Sequence, residues 1–201
     1  HYRARPWSME MLGEMDMDRS MEIYRERFAD ASDFTFTFVG NFSSEQMEPL
    51  VCAYLATLPT TEREEDWRDV GMHKPEGVVE KFVYAGIEPK STSRLVFSGP
   101  FEFDGWENNF AIDAMAAVLQ IKLREVLRED LGGTYGVGVS ASVEHFPREE
   151  YSVNIGFSSD PERTDELTQV VFEQIDSLKT AGTSQVYVDK VKEIRKRTRE
   201  V

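Results

Sequence analysis

The sequence predicts an α+β protein, a two-layer α/β sandwich in which a mostly antiparallel sheet is covered by helices on one face. Several short stretches alternate apolar and polar residues, which is the pattern of a strand with one buried face. Longer stretches repeat apolar residues every three or four positions, as helices with one buried side do. Consecutive strands are joined by short connections, which favours antiparallel pairing.

The first half of the chain predicts two helices around one strand. We expect residues 1–15 to be irregular and residues 16–30 to form a helix whose apolar residues recur at helical spacing. The stretch DFTFTFVGN, at 33–41, alternates three phenylalanines with threonines and predicts a sheet strand. A second helix over 43–59 begins at a serine cap and ends at a proline. The polar segment 60–77 predicts a surface crossing without a domain boundary.

The second half predicts the remaining sheet and its longest helix. Strands are expected over 78–86 and 91–101, joined as a hairpin, and a helix is expected over 106–131. Alternation in TYGVGVSASV and YSVNIGFSS predicts a second hairpin at 134–143 and 151–159.

Two further helices complete the predicted chain. One covers 161–181, and another follows a cap at Ser184. The sequence therefore predicts one domain over 1–201, with an α+β core from residue 16 onward.

Composition and charge exclude several classes of partner. A formal net charge of −14 repels nucleic-acid phosphates and anionic lipid surfaces. No apolar run approaches the roughly 20 residues that a membrane span requires, so we expect no membrane span in this chain. The chain lacks an initiator Met and ends within a helical pattern, from which we expect it to be a piece of a longer parent.

The stretch LREDLGGTYGVGV, at 127–139, places Arg128 and Tyr135 on either side of two glycines. A structural explanation is that Arg128 favours the helix end, Gly132 caps the helix and Tyr135 fills a strand. A functional explanation is that the turn holds both side chains over a ligand. Arg128 lies away from the apolar stripe of its helix, whereas strict alternation places Tyr135 on the core-facing side of its strand unless the strand start or a bulge releases it.

No catalytic residue and no metal site is predicted in this chain. His1, His73 and His145 lie far apart in terminal or loop-like segments, and a zinc site needs clustered ligands. Cys52 has no evident base, and no Gly-x-Ser-x-Gly elbow occurs.

Two stretches nevertheless resemble a known family. YRERFADASDFTFTFVGNFSSEQMEPLVCAYLATLP, and LREDLGGTYGVGV followed by SSDPER, resemble the second half-unit of insulinase and pitrilysin-family zinc peptidases, which include the processing peptidases. The resemblance covers nearly the entire chain and is strongest to bacterial members described as zinc proteases.

The resemblance implies a fold and a role. The fold is that of the half-units of the processing-peptidase type, in which two homologous halves enclose a chamber. Zinc is expected in the other half, whose inverted His-x-x-Glu-His motif is absent here, so this chain alone is expected to be inactive. Arg128 and Tyr135 match the positions that contact the peptide substrate.

The implied function is that of the non-metal domain of a zinc-dependent endopeptidase. Its expected partners are a peptide substrate and the zinc-bearing half-unit, in the same parent or in a partner subunit. The alternative is a noncatalytic structural or protein-interaction domain with the same fold. The resemblance favours the periplasm or cell envelope as the compartment, and the cytoplasm stays an alternative.

Overall fold

The structure is a computed structural model that describes residues 1–200, except for the side chains of residues 130 and 200. The chain separates into two compact units, His1–Met72 and His73–Val201. The assignment of the whole chain to one domain stays a prediction. No helix among the described residues is long and apolar enough to cross a membrane.

The first unit is helical. It contains α1 at Met9–Gly13, α2 at Met17–Arg27 and α3 at Ser44–Tyr54. Helix α1 and a 3₁₀ turn at Tyr2–Ala4 lie in the segment expected to be irregular. Helices this short carry too few turns to show a periodic apolar pattern in the sequence.

The caps of α2 and α3 follow from local sequence. The Asp16 carboxylate accepts a hydrogen bond from the Arg19 N–H at 2.9 Å and begins α2. Ser43 and Gln46 form a reciprocal capping box that begins α3, as the serine cap predicts.

The predicted strand at 33–41 is wrong, because the structure has no strand there. An extended segment becomes a strand only when its backbone N–H and C=O groups find a partner, and alternation does not supply one. The aromatic rings of this segment instead contact one another and Phe28, which ends α2. The ring centroids lie 5.7 Å apart for Phe28 and Phe34 and 6.1 Å apart for Phe34 and Phe36.

The second unit contains the sheet. Its strands are β1 at Ser91–Pro100, β2 at Val137–Glu144 and β3 at Glu150–Ser159, in the antiparallel order β1-β3-β2. The predicted hairpin of β2 and β3 is confirmed, with Val139 opposite Ile155. The predicted strand at 78–86 is wrong, because these residues do not pair and β1 pairs with β3 alone.

Helices cover one face of this sheet, which confirms the α+β fold class. Helix α4 at Trp106–Leu123 packs along β2, and α5 at Thr164–Ala181 contacts β1. Helix α6 at Gln185–Glu200 packs on α4. The core is apolar and joins α4, its continuation, α5 and β3 through Leu119, Leu123, Leu127, Val153, Ile155, Phe157, Leu167 and Val171.

A carboxylate, rather than an apolar core, is the most buried group of the first unit. Asp30 is 3% exposed and accepts hydrogen bonds from the Thr61 N–H at 2.9 Å, the Thr61 hydroxyl at 2.6 Å and the Arg63 N–H at 2.8 Å. These hydrogen bonds hold the pKa of the Asp30 carboxyl far below its ordinary value, and the bond from the Thr61 hydroxyl contributes most. Asp30 thereby ties the segment around Thr61 to the residues that follow α2.

We expect Asp30→Asn to loosen this tie and to remove a pH dependence. The native carboxyl stays ionised while the unfolded one binds a proton, so its contribution to stability is present above a pKa of about 4 and is lost as pH falls below it. Amide hydrogen exchange at Thr61 and Arg63 should accelerate in the variant at neutral pH. Urea unfolding should show a smaller loss of stability on acidification in Asp30→Asn than in the unsubstituted chain.

Asp33→Asn is the matched control, because Asp33 is an exposed aspartate close to Asp30 in the chain. It should change neither measurement. Unchanged exchange at Thr61 and Arg63 in Asp30→Asn would contradict the assigned role of Asp30.

Candidate functional site

Arg128 lies on a π-helical continuation of α4. The continuation covers Arg124–Asp130, and the Leu131 N–H donates to the Val126 carbonyl, five residues earlier, at 3.0 Å. Helix over nearly all of 106–131 is therefore confirmed. Single π-helical turns within longer helices are rare and frequently occur at functional sites.

The burial of Leu127 directs Arg128 outward. Leu127 is fully buried in the core, so the next residue along the helix is turned away from it, and Arg128 is exposed. Among the side chains that the structure describes, Arg128 has no hydrogen bond and no ion pair. Its guanidinium is therefore available to a ligand.

The two glycines that follow the helix have different functions. Gly132 has φ +57°, in the left-handed region that glycine adopts without strain. Gly133 donates its N–H to the Leu127 carbonyl at 3.0 Å, and a Cβ there would lie 2.7 Å from Cδ2 of the buried Leu167. The first glycine reverses the chain, and the second lets the turn approach α5.

Thr134 and Tyr135 point in opposite directions beyond the turn. Thr134 is buried, and its hydroxyl donates to the Gly136 carbonyl at 2.8 Å and accepts from the Gly136 N–H at 3.1 Å. Tyr135 is 92% exposed. Strict alternation would have placed Tyr135 on the core side, but β2 begins only at Val137, after this local loop. Tyr135 therefore lies outside the core.

A second arginine near the turn is already bound. Arg163 donates to the Glu166 carboxylate through Nε at 3.0 Å and Nη2 at 2.8 Å, and through Nη1 to the Leu131 carbonyl at 3.3 Å. Hydrogen bonding to Glu166 raises the pKa of Arg163 and lowers that of the Glu166 carboxyl. Arg163 thus supports the turn, whereas Arg128 is uncommitted.

Sequence reasoning missed Gln120, which fixes the start of β2. Its side-chain amide donates from Nε2 to the Val137 carbonyl at 2.7 Å and accepts at Oε1 from the Val139 N–H at 2.5 Å. The amide thereby replaces the peptide group of a neighbouring strand at the edge of the sheet. The signal in the sequence is a single amide within the apolar helix stretch AAVLQIKL.

The histidines form no metal site. The His145 Nδ1 lies 3.0 Å from Glu149 Oε1, and its ring stacks on Phe103 at 4.5 Å between centroids. His73 contacts the Arg148 guanidinium. Within residues 1–200, as far as their side chains are described, no three His, Cys, Asp or Glu residues lie close enough to hold a metal ion.

We expect Gly133→Ala to destabilise the second unit by about 1–3 kcal/mol, because the new methyl group overlaps Leu167 and forces the core to shift. Urea unfolding measures the loss. Gly138→Ala is the control, because a Cβ there has no heavy atom closer than 4.0 Å. Equal stability of the two variants would show that the turn does not need its close approach to α5.

We expect Gln120→Met to loosen the start of β2, because it leaves the Val139 N–H and the Val137 carbonyl without their partner. An unsatisfied buried polar group costs about 1–3 kcal/mol. Amide exchange at Val139 should accelerate. Gln120→Glu keeps the acceptor and should protect Val139 better than Gln120→Met does, whereas Gln169→Met, on the exposed side of α5, should have no effect. Unchanged exchange at Val139 in Gln120→Met would contradict this assignment.

Comparison with known proteins identifies relatives of this fold. Residues 19–195 match the family described as "Peptidase M16 inactive domain". The probable zinc protease PqqL of Haemophilus influenzae is 25% identical over 166 residues, which are 81% of this chain and 17% of that protein. A zinc protease PQQL-like protein of Arabidopsis thaliana is 27% identical over 216 residues, covering 99% of this chain and 22% of that protein.

Solved structures support the same fold. The crystal structure of the periplasmic protease PqqL from Escherichia coli matches 98% of this chain and 22% of its own, with a TM-score of 0.83 and 20% identity. A mutant of the ferredoxin protease FusC in complex with Arabidopsis ferredoxin matches 98% of this chain and 21% of its own, with a TM-score of 0.62 and 20% identity. The chain spans about a fifth of each relative's length. It belongs to the M16 peptidase family and matches the domain that this family describes as inactive.

Proposed function

We propose that this chain contributes substrate contacts to a zinc-dependent endopeptidase, through Arg128 and Tyr135. The observation that carries the proposal is that both side chains are exposed and uncommitted, although the backbone on either side of them is held by buried contacts. Groups fixed on a rigid support can bind a ligand without a large loss of conformational entropy.

Arg128 suits the binding of a peptide backbone. Its guanidinium is permanently charged and presents several N–H donors in one plane, so it can donate to a peptide carbonyl or to an acidic side chain. The hydrogen bonds that occupy Arg163 do not occur at Arg128, which supports Arg128 as the substrate contact.

Tyr135 suits the stabilisation of negative charge. A phenolic hydroxyl can donate a hydrogen bond to the carbonyl oxygen of a peptide, and that bond strengthens as the oxygen gains charge in the transition state. Removal of one such donor typically costs about 3–4 kcal/mol of transition-state stabilisation.

Zinc and its ligands would belong to the other half of the complete protease. The described residues of this chain do not fit the metal, because no suitable cluster of ligands occurs among them. The partner in this proposal is therefore a zinc-bearing half-unit, in the same chain or in another subunit. A periplasmic location is proposed from the Escherichia coli relative, whose structure is described as that of a periplasmic protease.

A noncatalytic structural role is the alternative. The description of the family domain as inactive is compatible with both functions. The position of Tyr135 favours substrate contact, because its exposed ring extends from the same turn as the exposed Arg128 and packing fixes the backbone of that turn.

We expect Arg128→Ala and Tyr135→Phe each to lower peptide hydrolysis by the complete protease at least tenfold, which corresponds to about 1.4 kcal/mol. Loss of a contact that strengthens in the transition state lowers the turnover number. Loss of a contact that holds the substrate equally throughout raises the Michaelis constant. Steady-state kinetics on a defined peptide separates these two effects.

Arg124→Ala and Tyr84→Phe are the matched controls, because both residues are exposed and lie outside the turn. Circular dichroism should show all four variants folded. Rates and Michaelis constants at the unsubstituted level for both Arg128→Ala and Tyr135→Phe would contradict substrate contact and favour the structural role.

A further inference from the structure

An apolar groove lies between α4, the end of α5 and α6, away from the turn that carries Arg128 and Tyr135. Its volume is about 760 Å³, and its apolar lining includes Met115, Val118, Leu178 and Val191. Val118 and Val191 are buried in the small core where α4 and α6 pack together. Ala114 also lines the groove and is partly exposed there.

The two long helices that border the groove run antiparallel. Near the end of α4, the Tyr187 hydroxyl donates to Glu125 at 2.6 Å. Near the start of α4, the Arg195 guanidinium of α6 lies 4.5 Å from the centroid of the Phe110 ring and 3.9 Å from the Asp113 carboxylate. The groove therefore extends along α6 toward Phe110, whose ring is exposed on one side.

One wall of the groove is basic. Lys192, Arg195, Lys196 and Arg199 line it, and their spacing of three and four residues places them along one side of α6. They span about 10 Å along the helix axis, at 1.5 Å per residue. No acidic residue occurs among the described residues that line the groove.

This positive wall contrasts with the charge of the protein. The chain carries a formal net charge of −14, so an acidic ligand is repelled by the molecule as a whole. Attraction of an acidic ligand must therefore be local, and the wall of α6 can supply it.

We propose that this groove binds an amphipathic helix that has an acidic flank, with apolar side chains on the groove floor and carboxylates along the α6 wall. Apolar anchors at helical spacing that enter a hydrophobic groove are a common mode of peptide recognition. Complementary charges along the rim fix the orientation of the helix and exclude basic competitors. The inference is independent of the proposed role in peptide hydrolysis.

The distribution of the cations favours a helix over other anionic ligands. A fatty acid presents one carboxylate at one end, whereas the cations here follow the groove for about two helical turns.

Fluorescence anisotropy with the 201-residue chain tests the proposal. The probe is a labelled helical peptide of about four turns, with leucines along one face and glutamates beside them. Its twin has lysine in place of each glutamate. We expect the acidic peptide to bind at least tenfold more tightly than the basic twin, and the preference to weaken as salt is raised.

Substitutions then locate the binding site. Ala114→Phe fills the groove and should abolish binding of the acidic peptide. The double variant Lys192→Glu with Arg199→Glu should reverse the preference between the twins, and as a surface change it keeps the test valid if Ala114→Phe unfolds. Lys179→Glu, a single charge reversal of an exposed side chain on α5, should leave the preference unchanged.

Three results would overturn the proposal. Equal affinity for the two twins would show that the basic wall does not select the ligand. Dodecanoate could displace the peptide and bind equally well to the variant that carries Lys192→Glu and Arg199→Glu. That result would indicate a site for small amphiphiles. Self-association of the chain in sedimentation experiments, if Ala114→Phe abolishes it, would identify the occupant as a second copy of this chain.

Discussion

The close contact between Gly133 and the buried Leu167 side chain is the constraint on which the candidate site depends. The chain must leave the long helix within a few residues and approach α5, and only a residue without a Cβ leaves room for Leu167. Leu127, on the helix side of the turn, is locked in the same core. Arg128 and Tyr135 therefore extend from a turn whose two ends are fixed by packing, and their exposure does not depend on a flexible loop.

Hydrogen bonds fix the backbone around the turn in addition to the packing contacts. Arg163 is held by Glu166 and donates to the Leu131 carbonyl at the turn. Arg163 therefore has a structural role, whereas Arg128 is available to a ligand. Gln120 provides a side-chain amide to the edge of β2, where no further strand supplies a peptide group. The start of β2, two residues beyond Tyr135, is thereby hydrogen-bonded on both sides, to β3 and to Gln120 of α4.

The sequence predicted those elements whose evidence is local. The long helix and the hairpin of β2 and β3 follow from periodicity, and the helices on one face follow from their single apolar stripes. The segment at 33–41 alternates equally well, and the segment at 78–86 is rich in β-branched and aromatic residues. Neither is a strand, because pairing depends on a distant partner that these local patterns do not specify. Gln120 could not be predicted as a contact of β2, because its partners lie in a different element. The orientation of Tyr135 depends on where β2 begins, which is set by the Thr134 hydrogen bonds rather than by alternation.

The two units are stabilised by different interactions, and this difference determines how each responds to its surroundings. The second unit is held mainly by apolar side chains from two helices and the central strand, whose burial has little direct dependence on pH. In His1–Met72, Asp30 is the one residue that is buried, and its hydrogen bonds require an ionised carboxylate. Acid therefore reduces the stability that this tie gives the first unit, because the unfolded carboxyl gains a proton, whereas the burial of the apolar core in the second unit changes little. The turn that carries Arg128 and Tyr135 is fixed by this apolar core, through Leu127 on one side and the Gly133 contact with Leu167 on the other.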